Sequence, residues 1–281
     1  MNIKIDYSQK VGSGSASDVY KLNDAEVIVV GKRDDCYDNF KSLFEKYKAI
    51  EGKILSVNYP KISKIIAPCT DFPYGAMIEN YIDGGELRKV ISTLTDKQKK
   101  KIGNSLGKFI NEMHSIQMAG DKAGEIAINM QKFDRSANML KSYLSQDYMD
   151  KIGVVRQKYF DFMTKSTFCT THGDLNAGNI LVKDGEVSGI IDFGNMEYYV
   201  PEVEFAHMYF FDKTIYDNMV SSCKDKIADE DVVLVELVMS IRHFKNIVNF
   251  DHKVKECLQK ITSTMDIALT QTPVGTQVLN K

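Results

Sequence analysis

Two acids and an amide in the second half of the chain have the types and spacing to do chemistry. The stretch THGDLNAGNILV, Thr171 to Val182, holds His172, Asp174 and Asn179, and the nearby GIIDFGNM holds Asp192. Carboxylate and amide oxygens are the hard donors that magnesium prefers, usually alongside phosphate oxygens. Phosphoryl transfer from a nucleotide asks for that set. The triphosphate must be cradled, magnesium must bridge its oxygens, and a carboxylate must accept the proton of the attacking hydroxyl. The spacing suits the task. Asp174 and Asn179 bracket a five-residue step that can aim both side chains into one cleft. Asn179 leads into the strand Ile180-Leu181-Val182, and the returning strand ends at Asp192, so a hairpin brings Asp192 back beside Asn179. Gly194 is expected to supply an unusual backbone conformation just after it. The alternative, that these are turn formers and a strand-end cap, leaves their ordered spacing to chance.

The elements that must position these residues follow from periodicity. KVGSGSASDVYKL is a β-like run broken by small residues, Asn23-Asp24-Ala25 is a turn signal, and EVIVV is a buried strand. Together they predict a hairpin. Phe40, Leu43, Phe44, Tyr47, Ile50 and Ile54 recur at helical spacing. NYPKISKII predicts a loop and a strand, and YGAMIENYIDGGEL a strand running into a Gly-Gly turn, with a hinge near Glu79 to Gly85. Thr95 with Gln98 fits a capping box, ahead of a face of Ile102, Leu106, Phe109, Ile110 and Met113. One or two helices are expected between about Met130 and Phe162. NILVK and VSGIID are short strands split by Asp184-Gly185. Helices are expected over Asp229–Val248 and His252–Leu269, then a loose tail over the final dozen residues. The fold class is therefore α+β, with a β-rich N-terminal lobe over 1–80 and a helical lobe over 81–281.

Here the chain resembles a known family. HGDLNAGNIL, followed 18 residues after its Asp by DFG, is similar to the aminoglycoside phosphotransferase and choline kinase-like group, which shares the two-lobed fold of the protein kinases. The resemblance implies that Asp174 is the catalytic base, that Asn179 and Asp192 bind magnesium, and that His172 braces the loop. HGD in place of HRD, and the lack of an APE-type segment, point to a small-molecule kinase. GSGSASDV, Gly12 to Val19, matches the glycine-rich loop except that Ser17 replaces its third glycine. Gly12, Ser13 and Gly14 would approach the phosphates of ATP or GTP. Lys32 is the candidate phosphate-binding lysine, on a strand face shared with Ile28 and Val30, although Gly31 stands where an apolar residue is usual. Its helix partner is left open between Glu45 and Glu51. Matching the hinge places purine contacts near Asn80 and Ile82, with Met77 and Ile78 bordering the base. After DFG, Asn195 stands where an acid is common, and Glu204 within PEVEFA is expected to tie its helix to the catalytic loop.

The acceptor is the least legible part. Acids outnumber bases between Asp192 and Asp231, which would attract a polycation such as an aminoglycoside. Glu197, Glu202 and Asp212 are the candidate substrate residues; Tyr198, Tyr199, Tyr209, Phe210 and Phe211 could stack on a sugar or cage an ammonium, or lie in the core. A metabolic kinase for choline, an amino alcohol or a sugar would fit the same pattern, and so would a nucleotide-binding pseudokinase. The bulk properties narrow the field. A net charge of −2 over 281 residues gives no support for a nucleic-acid or membrane-surface role. Five scattered cysteines without a CxxC pair read as reduced thiols of a cytoplasmic protein. MNIKIDYSQK contains no apolar run of signal-peptide type. The expected protein acts as a monomer.

Overall fold

The computed structural model describes residues 4–270; the tail expected at the C-terminus lies, past Thr270, outside the described residues. In chain order the strands are β1 (Lys10–Ser13), β2 (Ser17–Lys21), β3 (Glu26–Gly31), β4 (Ile62–Ile66), β5 (Ala76–Asn80), β6 (Gly85–Glu86), β7 (Cys169–Thr171), β8 (Ile180–Lys183), β9 (Glu186–Ile190) and β10 (Glu197–Tyr199). The helices are α1 (Cys36–Ile50), α2 (Leu87–Val90), α3 (Asp96–Ser115), α4 (Lys122–Leu140), α5 (Gln146–Lys165), α6 (Val203–Tyr209), α7 (Lys213–Ser222), α8 (Asp229–Ile247) and α9 (Asp251–Thr270). Two compact units form. The first comprises Met1–Ile116, His172–Glu197 and Asp212–Lys224, and the second Gln117–Thr171, Tyr198–Phe211 and Asp225–Lys281. The hinge segment near Glu79 to Gly85 falls inside the first unit.

In the first unit an antiparallel sheet runs β1-β2-β3-β5-β4. Its two faces follow from strand alternation. Val29 lies opposite Val19 on one side and Met77 on the other, and it packs with Cys36 and Phe40 under α1. Ile28, Ile78 and Tyr20 point the opposite way, onto Phe72. α1 turns Phe40, Tyr47 and Ile50 inward, as its apolar spacing requires. α3 begins with a complete capping box: the Thr95 hydroxyl accepts from the Gln98 N–H, and the Gln98 side chain accepts from the Thr95 N–H at 2.9 Å. It packs closely on α7 through Gly103 and Gly107. A Cβ at these positions would stand 2.5 Å from the Ile215 carbonyl and 2.7 Å from the Met219 carbonyl. β8 and β9 form a hairpin in which Ile180 faces Ile190. Asp184 (φ 54°) and Gly185 (φ 79°) supply the left-handed pair that a two-residue turn needs.

The second unit is helical. α4, α5, α8 and α9 enclose a core that includes Phe133, Tyr159, Tyr199, Val235, Ile241, Phe244 and Ile261. α8 is buried nearly all round. The one carboxylate it buries, Glu236, is met by Lys260 and by His207 Nδ1 at 3.2 Å. Among the described residues no helix is long and apolar enough to cross a membrane.

Candidate active site

The hairpin does what its sequence spacing predicts. The Ile191 N–H donates to the Asn179 carbonyl at 2.9 Å, so Asp192 emerges beside the loop that carries Asp174. The Asp174 carboxylate accepts two side-chain amides, Asn176 Nδ2 at 2.8 Å and Asn179 Nδ2 at 3.1 Å. Asn179 Nδ2 also reaches the Asp174 carbonyl at 2.9 Å. Both amides fix the carboxylate without neutralising it. Asn176 was not singled out from the sequence, where it reads as one more loop asparagine.

His172 lies beneath this loop, fully buried. Its Nε2 donates to the Ile191 carbonyl at 3.1 Å, and its Nδ1 accepts from the Asp174 N–H at 3.3 Å, an assignment that requires the neutral imidazole. Burial enforces neutrality and pushes the imidazole pKa down to about 4. The ring stacks edge-on against Phe193 at 4.5 Å, and Phe193 in turn meets Tyr47 of α1 and Phe109 of α3. An aromatic column thus joins α1, the DFG turn, the catalytic loop and α3.

The backbone conformation expected at Gly194 is found elsewhere. Asp192 itself is left-handed (φ 64°, ψ 63°), and Gly194 does not have positive φ. The glycine that the site demands is Gly173, with φ 77°; a Cβ there would lie 2.3 Å from the Asn195 carbonyl. This explains locally why glycine stands between His172 and Asp174.

Asp192 is exposed to solvent although protein surrounds it closely. Desolvation, and then the neighbouring Asp174, push its pKa up, while Lys46 opposes the shift. A third acid, Glu79, which the sequence marks only as the start of the hinge, joins them. Glu79 lies on β5 opposite Val27 and two residues from Met77, so it shares the α1 face of the sheet. Burial, and then Asp192, push its carboxyl up to about 8, and its Oε2 has no hydrogen-bond partner among the described residues. The usable signal was parity with Met77 on a strand.

The phosphate side is arranged differently from expectation. Gly12 and Gly14 flank Ser13 at the β1–β2 turn, where the Gly14 N–H donates to Ser17 O at 2.8 Å and Ser13 Oγ donates to Asp18 at 2.6 Å. A Cβ on either glycine would make only ordinary contacts, at 3.4 and 3.7 Å. The fold itself does not require glycine there. Lys32 follows the end of β3 and shares its face with Val30, as pleating predicts, but that is the face away from α1. Its ammonium is held by the Gly14 carbonyl at 2.6 Å and by Asp18 at 3.1 Å. Neither open candidate partner meets it. Glu45 is exposed beside Lys48, and Glu51 is an exposed cap at the end of α1. The cation that does reach the DFG turn is Lys46 of α1. It donates to the Gly194 carbonyl and interacts with Glu197 and Asp192.

At the hinge, the Asn80 side chain accepts from the Lys61 N–H at 2.5 Å and its own N–H is taken by Lys61 O. The Ile82 main chain makes no hydrogen bond to any described residue. Met77 faces α1 and Ile78 faces the other way. Among the proposed acceptor residues, Glu197 lies near Lys46. Asp212 is committed to capping α7, accepting from Ile215 N at 3.0 Å, and to an ion pair with Lys99 at 2.8 Å. Glu202 belongs to the second unit and is 7% exposed, with burial pushing its carboxyl up to about 7. Tyr199 is core, bonded to Tyr159, and Glu204 is fully buried in α6.

A sheet with a glycine hairpin, and a loop and return hairpin that bring Asp174, Asn179 and Asp192 together, are features of a kinase-like phosphotransferase. Residues 9–220 match the model of the Phosphotransferase enzyme family, and the chain belongs to that family. Solved structures agree on the fold. The GDP complex of wild-type aminoglycoside 2'-phosphotransferase-IIIa superposes with a TM-score of 0.79 at 16% identity, over 95% of this chain and 94% of that one. The streptomycin-ATP-APH(2")-IIa ternary complex gives 0.70 at 22% identity, over 94% and 92%. The macrolide 2'-phosphotransferase MphH from Brachybacterium faecium gives 0.64 at 10% identity, over 98% and 96%. No curated protein sequence matches the chain.

Proposed function

We propose that the chain transfers the γ-phosphate of ATP or GTP to a hydroxyl of a small cationic molecule, foremost an aminoglycoside. The observation that carries this reading is the constraint on Asp174. Two amides hold its carboxylate as an acceptor, and its backbone N–H is held by a histidine kept neutral by burial. A carboxylate so placed accepts the proton of the acceptor hydroxyl as its oxygen attacks the γ-phosphorus. The bond from that phosphorus to the βγ-bridging oxygen breaks, and the nucleoside diphosphate leaves.

The donor set fits magnesium. Asn179 spends its Nδ2 on Asp174, which leaves its amide oxygen for a cation. Asp192 is a carboxylate with its pKa pushed up by closely surrounding protein and by the neighbouring Asp174, an arrangement that a divalent cation would stabilise. Asn179 and Asp192 would hold the ion, which neutralises charge on the β- and γ-phosphates when bound. The β1–β2 turn of Gly12, Ser13 and Gly14 would lie over the phosphates, with the Gly14 N–H already donated to Ser17 O. The Ile82 main chain at the hinge is suited to meet the base, whereas the polar groups of Asn80 are already partly used. Glu197 is the acid best placed to meet a cationic acceptor.

The neighbours solved with gentamicin, streptomycin and kanamycin support an aminoglycoside, and the macrolide 2'-phosphotransferase among them marks the breadth of acceptors the fold serves. Phosphate transfer from ATP and from GTP against a panel of aminoglycosides, macrolides, choline, amino alcohols and sugars tests the proposal. Turnover confined to aminoglycosides is expected. Turnover only of choline or a sugar replaces the acceptor, and nucleotide binding without any transfer identifies a pseudokinase.

A further inference from the structure

Besides magnesium, a nucleoside triphosphate is held by a cationic side chain on its phosphates, which must reach the same side as Asp192. β3 cannot do this here. On the α1 face it presents Val27, Val29 and Gly31, with Val29 buried against Phe40 and Met77. The first lysine past the strand, Lys32, has the other parity, and its ammonium is spent on Asp18 and the Gly14 carbonyl. α1 offers the complementary anomaly. Its one glutamate, Glu45, and the cap Glu51 are exposed, and a half-buried polar side chain beside the inward Tyr47 is a lysine, Lys46.

We propose that Lys46 is the phosphate-binding cation of this chain, supplied by α1 in place of the lysine that β3 lacks on that face. This inference rests on the nucleotide-dependent reading given above. The Lys46 ammonium donates to the Gly194 carbonyl, 148 residues away in sequence and two residues from Asp192. Its electrostatic neighbours are Glu197 and Asp192. The bond it makes is to a neutral main-chain acceptor. A phosphate oxygen is a stronger partner for an ammonium and would draw it from that carbonyl. Lys46 is half-buried, and torsion about its flexible four-carbon stem can carry the ammonium from that carbonyl to a phosphate.

The test is binding of ATP and GTP, each with magnesium, and of adenosine and guanosine, to the full chain and to Lys46→Met, Lys46→Arg and Lys32→Met. Lys46→Met is expected to weaken triphosphate binding about tenfold or more, the scale of losing one charge-assisted hydrogen bond, while nucleoside binding stays put. Lys46→Arg should recover part of the loss, and Lys32→Met should cost less than Lys46→Met. Unfolding midpoints of the variants close to that of the parent exclude a folding defect. Triphosphate affinity unchanged in Lys46→Met, or a larger loss in Lys32→Met, overturns the assignment and leaves the phosphotransferase reading standing. A parent protein that binds no nucleotide removes that reading itself.

Discussion

Asp174 is oriented by neighbours that a substitution can expose one at a time. Asp174→Ala is expected to lower kcat at least about a hundredfold, the scale of losing a positioned general base, while nucleotide still binds. Equal turnover in that variant would end the proposed mechanism. Gly173 carries a different burden. Gly173→Ala must place a methyl 2.3 Å from the Asn195 carbonyl at φ 77°, and should cost roughly 1–3 kcal/mol in a denaturant titration. A Gly194→Ala variant, at a position without positive φ, should cost less. Glu79 sets a pH dependence whose sign is fixed. Its folded pKa, about 8, lies above its ordinary carboxylate value, so the folded chain keeps a proton that the unfolded chain releases. In metal-free buffer its contribution is therefore fully present below about pH 4.5 and is lost as pH rises through about 8. Melting curves across that window should show a downward slope that Glu79→Gln flattens.

At the scale of elements, the site depends on how closely helices approach and how strands end. α3 meets α7 where Gly103 and Gly107, one helical turn apart, leave room for main-chain carbonyls. Gly107→Val should destabilise by about 3 kcal/mol or more, because the added atoms meet backbone that cannot swing aside. An unfolding midpoint near that of the parent would contradict this packing account. Much of this level was legible beforehand. The capping box at Thr95 and Gln98, the inward face of α1 and the Asp184-Gly185 turn are short-range patterns, and short-range geometry realises each of them. The side of β3 that α1 covers was not legible. The parity of Lys32 with Val30 is readable from VIVVGKR, but nothing in that pattern says that the helix packs on the Val29 side.

For the whole molecule, ligand linkage gives a direct measure. A chain that binds nucleotide only when folded gains about 2.7 kcal/mol at a ligand concentration 100 times Kd. Magnesium with ATP or GTP should raise the melting temperature of the parent, and Asp192→Ala should remove the magnesium-dependent part of that rise. An identical rise in Asp192→Ala would remove its proposed role. The Asp174 loop, its hairpin, the glycine turn and Lys46 all belong to the first compact unit, which gathers three separate stretches of chain. Glu202, by contrast, belongs to the second unit and is buried.

By itself the sequence determined the acids and amide of the return hairpin, their order, and hence the class of chemistry, because turn residues and strand alternation act over a few positions. Only the tertiary structure decided which glycine is strained, which acids are spent on caps and buried pairs, and which lysine faces Asp192. Those outcomes depend on contacts between residues as far apart as Lys46 and Gly194, where spacing along the chain carries no information about distance in space.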